Sequence, residues 1–441
     1  MATMLAPETP ILTTTTPARV DPREARATTN PVRFAILAGQ LGLLILVFRV
    51  YHVEDPAFLL LAALTFGGFA VHYWLPFRLK EPFWIALSLG GAFVLLEPVT
   101  ATLLLGCGLG FYLLLASPLS FRARLGIFLA AAGALAYARA TLGFGIPYQF
   151  WPVFGAIFMF RMMVYLYDLA HSSRRPELKE YLSYFFVLPN YYFLLFPVID
   201  FQTLRRTRYQ RDIHDIAQQG ILWMMRGTVH LLLYRLIYHL KGPSNAPEAI
   251  TTFGTLAATM VMTYLLYLRV SGQFHIIVGM MHLFGYDLPE THRKFLLASS
   301  LTDFWRRINI YWKDFMVKMV YFPVYFKLRR SGEIHAQVIA TGFVFTTTWV
   351  LHSYQWFWLR GDWLFTWPDF TFWAVLGALV TINLILEARG KKARKIEGWP
   401  GRIIHGAKVA GTFMLIVTLW SMWNAPSLGE WLDVLSWWEI G

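Results

Sequence analysis

Apolar runs about as long as a hydrocarbon core is thick recur from Phe34 almost to the C-terminus, separated by short polar breaks. The runs at 34–50, 57–75, 83–96, 99–115, 125–141 and 150–169 can be threaded as three hairpins, each returning to a basic cluster. Further runs at 221–240, 251–268, 337–356, 370–386 and 407–423 continue the pattern. Two stretches fit a clean span less well. Residues 184–199 are apolar but interrupted by Pro189, Asn190 and Pro197, and residues 272–330 mix aromatic and basic side chains densely. Both are expected to be re-entrant or in-plane segments, because broken backbone at membrane depth must be surrounded by protein or a cavity. The pattern predicts an all-α, polytopic transmembrane bundle of about eleven spans plus re-entrant pieces, with no internal repeat.

Composition agrees: 56% of the residues are hydrophobic and 15% charged, where a soluble domain carries roughly 25% charged residues. The formal net charge of +13 does not form one basic face but falls in clusters at the ends of apolar runs. That distribution points to the positive-inside rule and away from a nucleic-acid partner. Arg19, Arg23, Arg26 and Arg33 precede the first run, so a cytosolic N-terminus is expected, in a bacterial cytoplasmic (inner) membrane. Residues 1–31, rich in threonine and proline, read as a disordered cytosolic tail, and 32–441 as one membrane domain. Cys107, the single cysteine, lies inside an apolar run, which excludes disulfide frameworks and thiolate metal sites and leaves a packing role. Arg226, His230, Arg235 and His239 share one apolar run at helical spacing. A polar network inside the bundle accounts for them better than a metal site, since no carboxylate or cysteine ligand stands beside the histidines. No metal is assigned.

The densest chemistry lies at 300–313, Ser-Leu-Thr-Asp-Phe-Trp-Arg-Arg-Ile-Asn-Ile-Tyr-Trp-Lys, which reads as one helical stretch. Two arginines there are costly in a membrane unless water, a partner or an anionic ligand compensates them. The run from Asp303 to Asn309, with the aromatic-proline segment Val320-Tyr-Phe-Pro-Val-Tyr after it, resembles motifs of the membrane-bound O-acyltransferase family. A second match is the histidine in Thr346-Thr-Thr-Trp-Val-Leu-His-Ser-Tyr-Gln, which is His352. The broken segment 184–209 is a third, and together the resemblance covers about 160–358.

The resemblance implies acyl transfer from a thioester donor, acyl-CoA or an acyl carrier, to a hydroxyl of a lipid, saccharide or other acceptor, with no bound cofactor. His352 would be the general base, since a buried imidazole stays neutral and can take a proton near pH 7. Asn309 would donate to the carbonyl oxygen or orient the acceptor. Arg306 and Arg307 would hold carrier phosphates, and Trp305 would wall the acyl tunnel. Membrane lipids and an accessory acyl carrier or export partner are the expected partners. Ile308-Asn309 replaces the Trp-His of the polysaccharide branches and stands closer to the lipid and sterol branch, and Ser353 replaces a frequent glycine.

Plainer readings stand beside these. A histidine in an apolar helix is commonly a packed, hydrogen-bonded residue, the two arginines can be membrane-end anchors, and the tryptophans can be interface or core aromatics. The rival enzyme is a polyprenyl-phosphate-dependent glycosyltransferase using Glu54 and Asp55 in the first outer loop. The rival of another class is a lipid or solute transporter with residues 221–240 lining its path.

Overall fold

The computed structural model describes residues 21–141, 145–172, 175–242, 250, 252–389 and 398–436. Among the described residues there is no β-strand, only an isolated antiparallel bridge between Arg208 and Tyr286. The chain begins with α1 (Pro22–Arg26), α2 (Pro31–Val50), α3 (Pro56–Trp74), α4 (Phe77–Leu95), α5 (Pro98–Ala116), α6 (Phe121–Thr141) and α7 (Phe150–Ala170). Proline opens α2, α3 and α5, where its missing N–H would have had no intrahelical acceptor. The side chains of Asn30 and Asp55 accept from the backbone N–H groups of Arg33 at 3.0 Å and Phe58 at 3.2 Å. Asp55 is thus the cap of α3, and Glu54 beside it accepts from Gln273 Nε2 at 2.9 Å. The acidic pair of the glycosyltransferase reading therefore has local structural partners.

Residues 21–31 correct the expected tail: Arg26 Nη1 donates to the Gln210 carbonyl at 2.7 Å, docking α1 on the bundle. Residues 1–20, Arg174 and the basic residues Lys391, Lys392, Arg394 and Lys395 lie outside the described residues.

After α7 the backbone breaks. A short helix α8 (Leu178–Phe185) and a 3-10 turn over Leu188–Tyr191 lead through extended chain to α9 (Phe201–Thr207). Phe186 to Tyr191 are all buried. Arg161 of α7 ties the break to the bundle: it donates to Tyr184 O at 2.8 Å and to the Asn190 side chain, while its Nε donates to Ile157 O of its own helix at 3.1 Å. This is the enclosed, broken segment expected at 184–199.

The helix α10 (Ile213–Lys241) pairs with a segment made of α11 (Phe253–Leu265) and α12 (Leu268–His282). The contact is backbone to backbone. A Cβ on Gly220 would stand 2.6 Å from the Gly279 carbonyl, and one on Gly227 would stand 2.6 Å from that of Gly272. Small residues at a helix interface permit this approach where lipid provides no hydrophobic drive. The re-entrant or in-plane reading of 272–330 is corrected for 272–282, where the helix continues to His282 and Phe274 and Ile276 to Met281 are buried. Of Arg226, His230, Arg235 and His239, only His230 turns inward, 3.1 Å from Ser271 Oγ. Arg226 pairs with Glu290, Arg235 donates to the Tyr51 and His52 carbonyls, and His239 is exposed.

The remaining helices are α13 (Leu301–Arg307), α14 (Ile310–Met316), α15 (Phe322–Leu328), α16 (Glu333–Arg360), α17 (Trp367–Arg389), α18 (Gly398–Trp423) and α19 (Leu428–Leu435). A π-helical turn over Val317–Tyr321 joins α14 to α15 and sets Lys318 Nζ 2.6 Å from Asp168 and 2.5 Å from Asp200. Nine helical segments among the described residues are long and apolar enough to cross a membrane: α2, α3, α5, α6, α7, α11 with α12, α16, α17 and α18. The two other expected spans are helical as well, but α4 carries Arg78, Lys80 and Glu81, and α10 carries the arginines just described. Lys80 is buried and satisfied by the His72 and Tyr73 carbonyls at 2.7 and 2.8 Å. The protein is a multi-pass, all-α integral membrane protein.

Candidate functional site

The site forms where the two large apolar clusters meet, one built around α3, α7 and α12, the other around α11, α13, α17 and α18. Between them lies a cavity of about 720 Å³, with Phe160, Phe196 and Phe274 on one wall and Phe304, Trp373 and Trp420 on the other. His352, Asn309 and Trp305 all line it.

His352 stands on α16, about two helical turns or about 12 Å short of the Arg360 end. Its imidazole is half-buried in an aromatic box, with ring centroids 4.8 Å from Trp373, 5.7 Å from Trp312 and 5.8 Å from Trp423. Among the described residues no hydrogen bond holds the ring, so packing alone orients it. Ser353, on the next position, is buried and donates to the Leu364 carbonyl, tying α16 to the loop that follows it.

Asn309 breaks the predicted helix. It sits in left-handed conformation at φ 38° and ψ 65°, and its side-chain oxygen accepts the Trp312 N–H at 3.2 Å, capping α14. Asparagine suits the position because it tolerates this conformation and can cap a helix. With the oxygen engaged, the amide Nδ2 remains as a donor on the cavity wall. Trp305 packs on Phe345 at 4.8 Å.

Arg306 and Arg307, expected near the donor, do not line the cavity. Arg307 Nε donates to Asp303 Oδ1 at 2.7 Å one turn back, and Arg306 is exposed with no ion pair among the described residues. Burial opposes the Asp303 charge, yet hydrogen bonds from Arg307 and the Ser299 amide hold its carboxyl below the usual carboxylate range. The motif is thus divided: its aromatic and amide members face inward and its basic pair faces outward.

The protein has no match among known family models. Over 217 residues it is 27% identical to the mouse protein-cysteine N-palmitoyltransferase HHAT, a member of the membrane-bound O-acyltransferase family. That match covers 44% of this chain and 40% of the relative, so the chain spans well under half the length of the protein it resembles. The similarity supports acyl transfer in general.

Several cavity residues carried no sequence signal of their own. Asp369, in the first turn of α17, accepts from Trp423 Nε1 at 2.7 Å and so fixes one wall of the His352 box. Arg360 stacks its guanidinium 4.2 Å above the Trp356 ring at the cavity's edge. Tyr267, at the break between α11 and α12, lines the cavity and hydrogen-bonds His292 Nε2 at 2.9 Å. Each stands in an apolar or aromatic run that hydropathy reads as membrane or interface, and only the helix packing turns it toward His352. Among the described residues no group of three or more histidine, cysteine, aspartate and glutamate side chains is arranged to hold a metal ion.

Proposed function

We propose that this protein is a membrane-bound acyltransferase that moves an acyl group from a thioester, acyl-CoA or an acyl carrier, to a hydroxyl of a lipid, saccharide or other acceptor. The observation that carries the reading is that His352 and Asn309, from separate helices, line one aromatic-walled cavity. The partial similarity to a palmitoyltransferase supports the same reaction class.

In this reading the acceptor hydroxyl oxygen attacks the thioester carbonyl carbon while His352 takes the hydroxyl proton. The carbonyl oxygen becomes an oxyanion and receives a hydrogen bond from Asn309 Nδ2. The intermediate collapses, the C–S bond breaks, and the imidazolium returns its proton to the leaving thiolate. Proton and charge balance without a metal, and the base and the donor act at the two atoms where charge changes. The end carrying Arg26, Lys80, Arg205 and Arg208 faces the cytosol, by the positive-inside distribution. The thioester enters from that side, and the acceptor enters from the Arg360 side, with the acyl chain along the apolar wall.

The test is transfer of label from radioactive palmitoyl-CoA by the purified, lipid-reconstituted protein to membrane lipids, with lipid-linked saccharides, simple alcohols and amines as further acceptors. Labelled esters that disappear in His352→Phe are expected. Labelled amides without esters would move the acceptor assignment to an amine, as the relative's name has it, and no transfer to any acceptor from either palmitoyl-CoA or a palmitoyl acyl carrier would reject the reading.

A further inference from the structure

A chain of buried polar side chains runs from the cavity into the contact between α12 and the loop that follows it. Its members are Tyr267, His292, Thr291 and His275, and none of the last three is assigned a role in the reaction above. Their hydrogen-bond directions can be worked out link by link.

His275 Nδ1 lies 2.7 Å from the Ser271 carbonyl oxygen. A carbonyl only accepts, so Nδ1 carries the imidazole proton. Thr291 Oγ1, 3.5 Å from that nitrogen, therefore does not donate to it. Thr291 is fully buried, and the remaining acceptor within reach among the described residues is His292 Nδ1 at 3.1 Å. Leaving a buried hydroxyl proton unpaired is unfavourable, so it goes to His292 Nδ1. His292 is itself buried, packed by Phe274 and Phe295 with ring centroids 5.7 and 5.6 Å away, and no carboxylate pairs with it among the described residues. It is neutral for that reason, and with Nδ1 accepting, its own proton sits on Nε2. Nε2 then donates to Tyr267 Oη across 2.9 Å.

The consequence falls on Tyr267. Its oxygen is occupied as an acceptor, its own proton has no acceptor on the protein among the described residues, and the residue lines the cavity shared by His352 and Asn309. We infer that Tyr267 is a second hydrogen-bond donor to the thioester carbonyl oxygen, its proton aimed into the cavity by the relay His275, Thr291 and His292. This rests on the acyl-transfer reading. Tyr267 is the catalytic residue in it, and Thr291 and His292 are positioning residues that fix which way its proton points.

Removing one preorganised oxyanion donor typically costs about 100- to 1,000-fold in turnover. Tyr267→Phe is expected to lower kcat by about 100-fold with the KM for palmitoyl-CoA within about threefold of wild type. Thr291→Val, which touches no substrate, frees the His292 tautomer and is expected to lower kcat by a smaller factor, again without a change in KM. The deciding measurement avoids turnover. The methylene-ketone analogue of palmitoyl-CoA, carbon-13 labelled at the carbonyl, is bound to the reconstituted full-length protein and its carbonyl stretch is read by difference infrared spectroscopy. A stretch at lower frequency in wild type than in Tyr267→Phe is expected, with Thr291→Val between. Equal frequencies in wild type and Tyr267→Phe would overturn the donor assignment while leaving acyl transfer standing. If the wild-type protein binds neither this analogue nor the same methylene ketone carried on an acyl-carrier phosphopantetheine, the acyl-transfer reading and this inference with it are overturned.

Discussion

Replacing His352 with phenylalanine separates the chemistry of its nitrogens from the packing of its ring. The imidazole makes no hydrogen bond among the described residues, and its contacts are the faces and edges of Trp373, Trp312 and Trp423 at 4.8, 5.7 and 5.8 Å. Aromatic pairs contribute about 0.5–1.5 kcal/mol each beyond area burial, so truncation to alanine removes about 2–4 kcal/mol of packing. A phenyl ring keeps the three contacts, and with the cavity alongside to take its extra width it changes stability by less than about 1.5 kcal/mol. The reaction responds differently. General-base catalysis contributes about 100- to 10,000-fold, which is about 3–5 kcal/mol of barrier. His352→Phe is therefore expected to match wild type in thermal unfolding of the detergent-solubilised protein and to lose at least about 100-fold in kcat for transfer from palmitoyl-CoA. Turnover within about threefold of wild type would refute the base assignment. A variant that fails to fold would refute the statement that packing alone holds the ring.

Other expectations follow from the same geometry. Asp369→Ala releases the Trp423 indole that walls the box, and about a tenfold fall in kcat with unchanged expression is expected, read in the same assay. Gly227→Leu drives a side chain into the Gly272 carbonyl; a loss of about 3 kcal/mol or more, seen as a lower unfolding temperature or loss of the monodisperse peak in size exclusion, is expected from overpacking. Lys318→Met strands the Asp168 and Asp200 carboxylates; about 3 kcal/mol of destabilisation is expected, largely recovered when both aspartates are also changed to asparagine, which thermal unfolding would register.

Part of this protein is legible in the sequence because its cause is local. A helix crosses a membrane when about twenty consecutive residues are apolar, and that sum is read directly for segments such as Pro31–Val50 and Trp367–Glu387. Helix starts are local too: Pro31, Pro56 and Pro98 stand just inside them, with Asn30 and Asp55 capping two of the three. The breaks at Pro189 and Asn190 and the unusual content of 300–313 were visible for the same reason. Hydropathy fails where charge is hidden by tertiary contacts. Lys80 lowers the apolar score of α4 yet lies buried against two carbonyls, and the histidines of α12 make a buried helix resemble an amphipathic one.

What only the tertiary structure decided is which side chains share a space. Nothing within 300–313 tells that the chain turns at a left-handed Asn309, a conformation supported by the cap it makes to Trp312 and by the Ile310 N–H bonding the Thr291 carbonyl at 2.9 Å. That turn sends Trp305 and Asn309 toward His352 and leaves Arg306 and Arg307 facing away. Tyr267 joins them through a partner, His292, that lies beyond the end of its own helix. The apolar drive that puts helices in a membrane is a sum over neighbours in sequence, whereas a cavity is made by close packing between elements far apart in it, and the second cannot be read from the first.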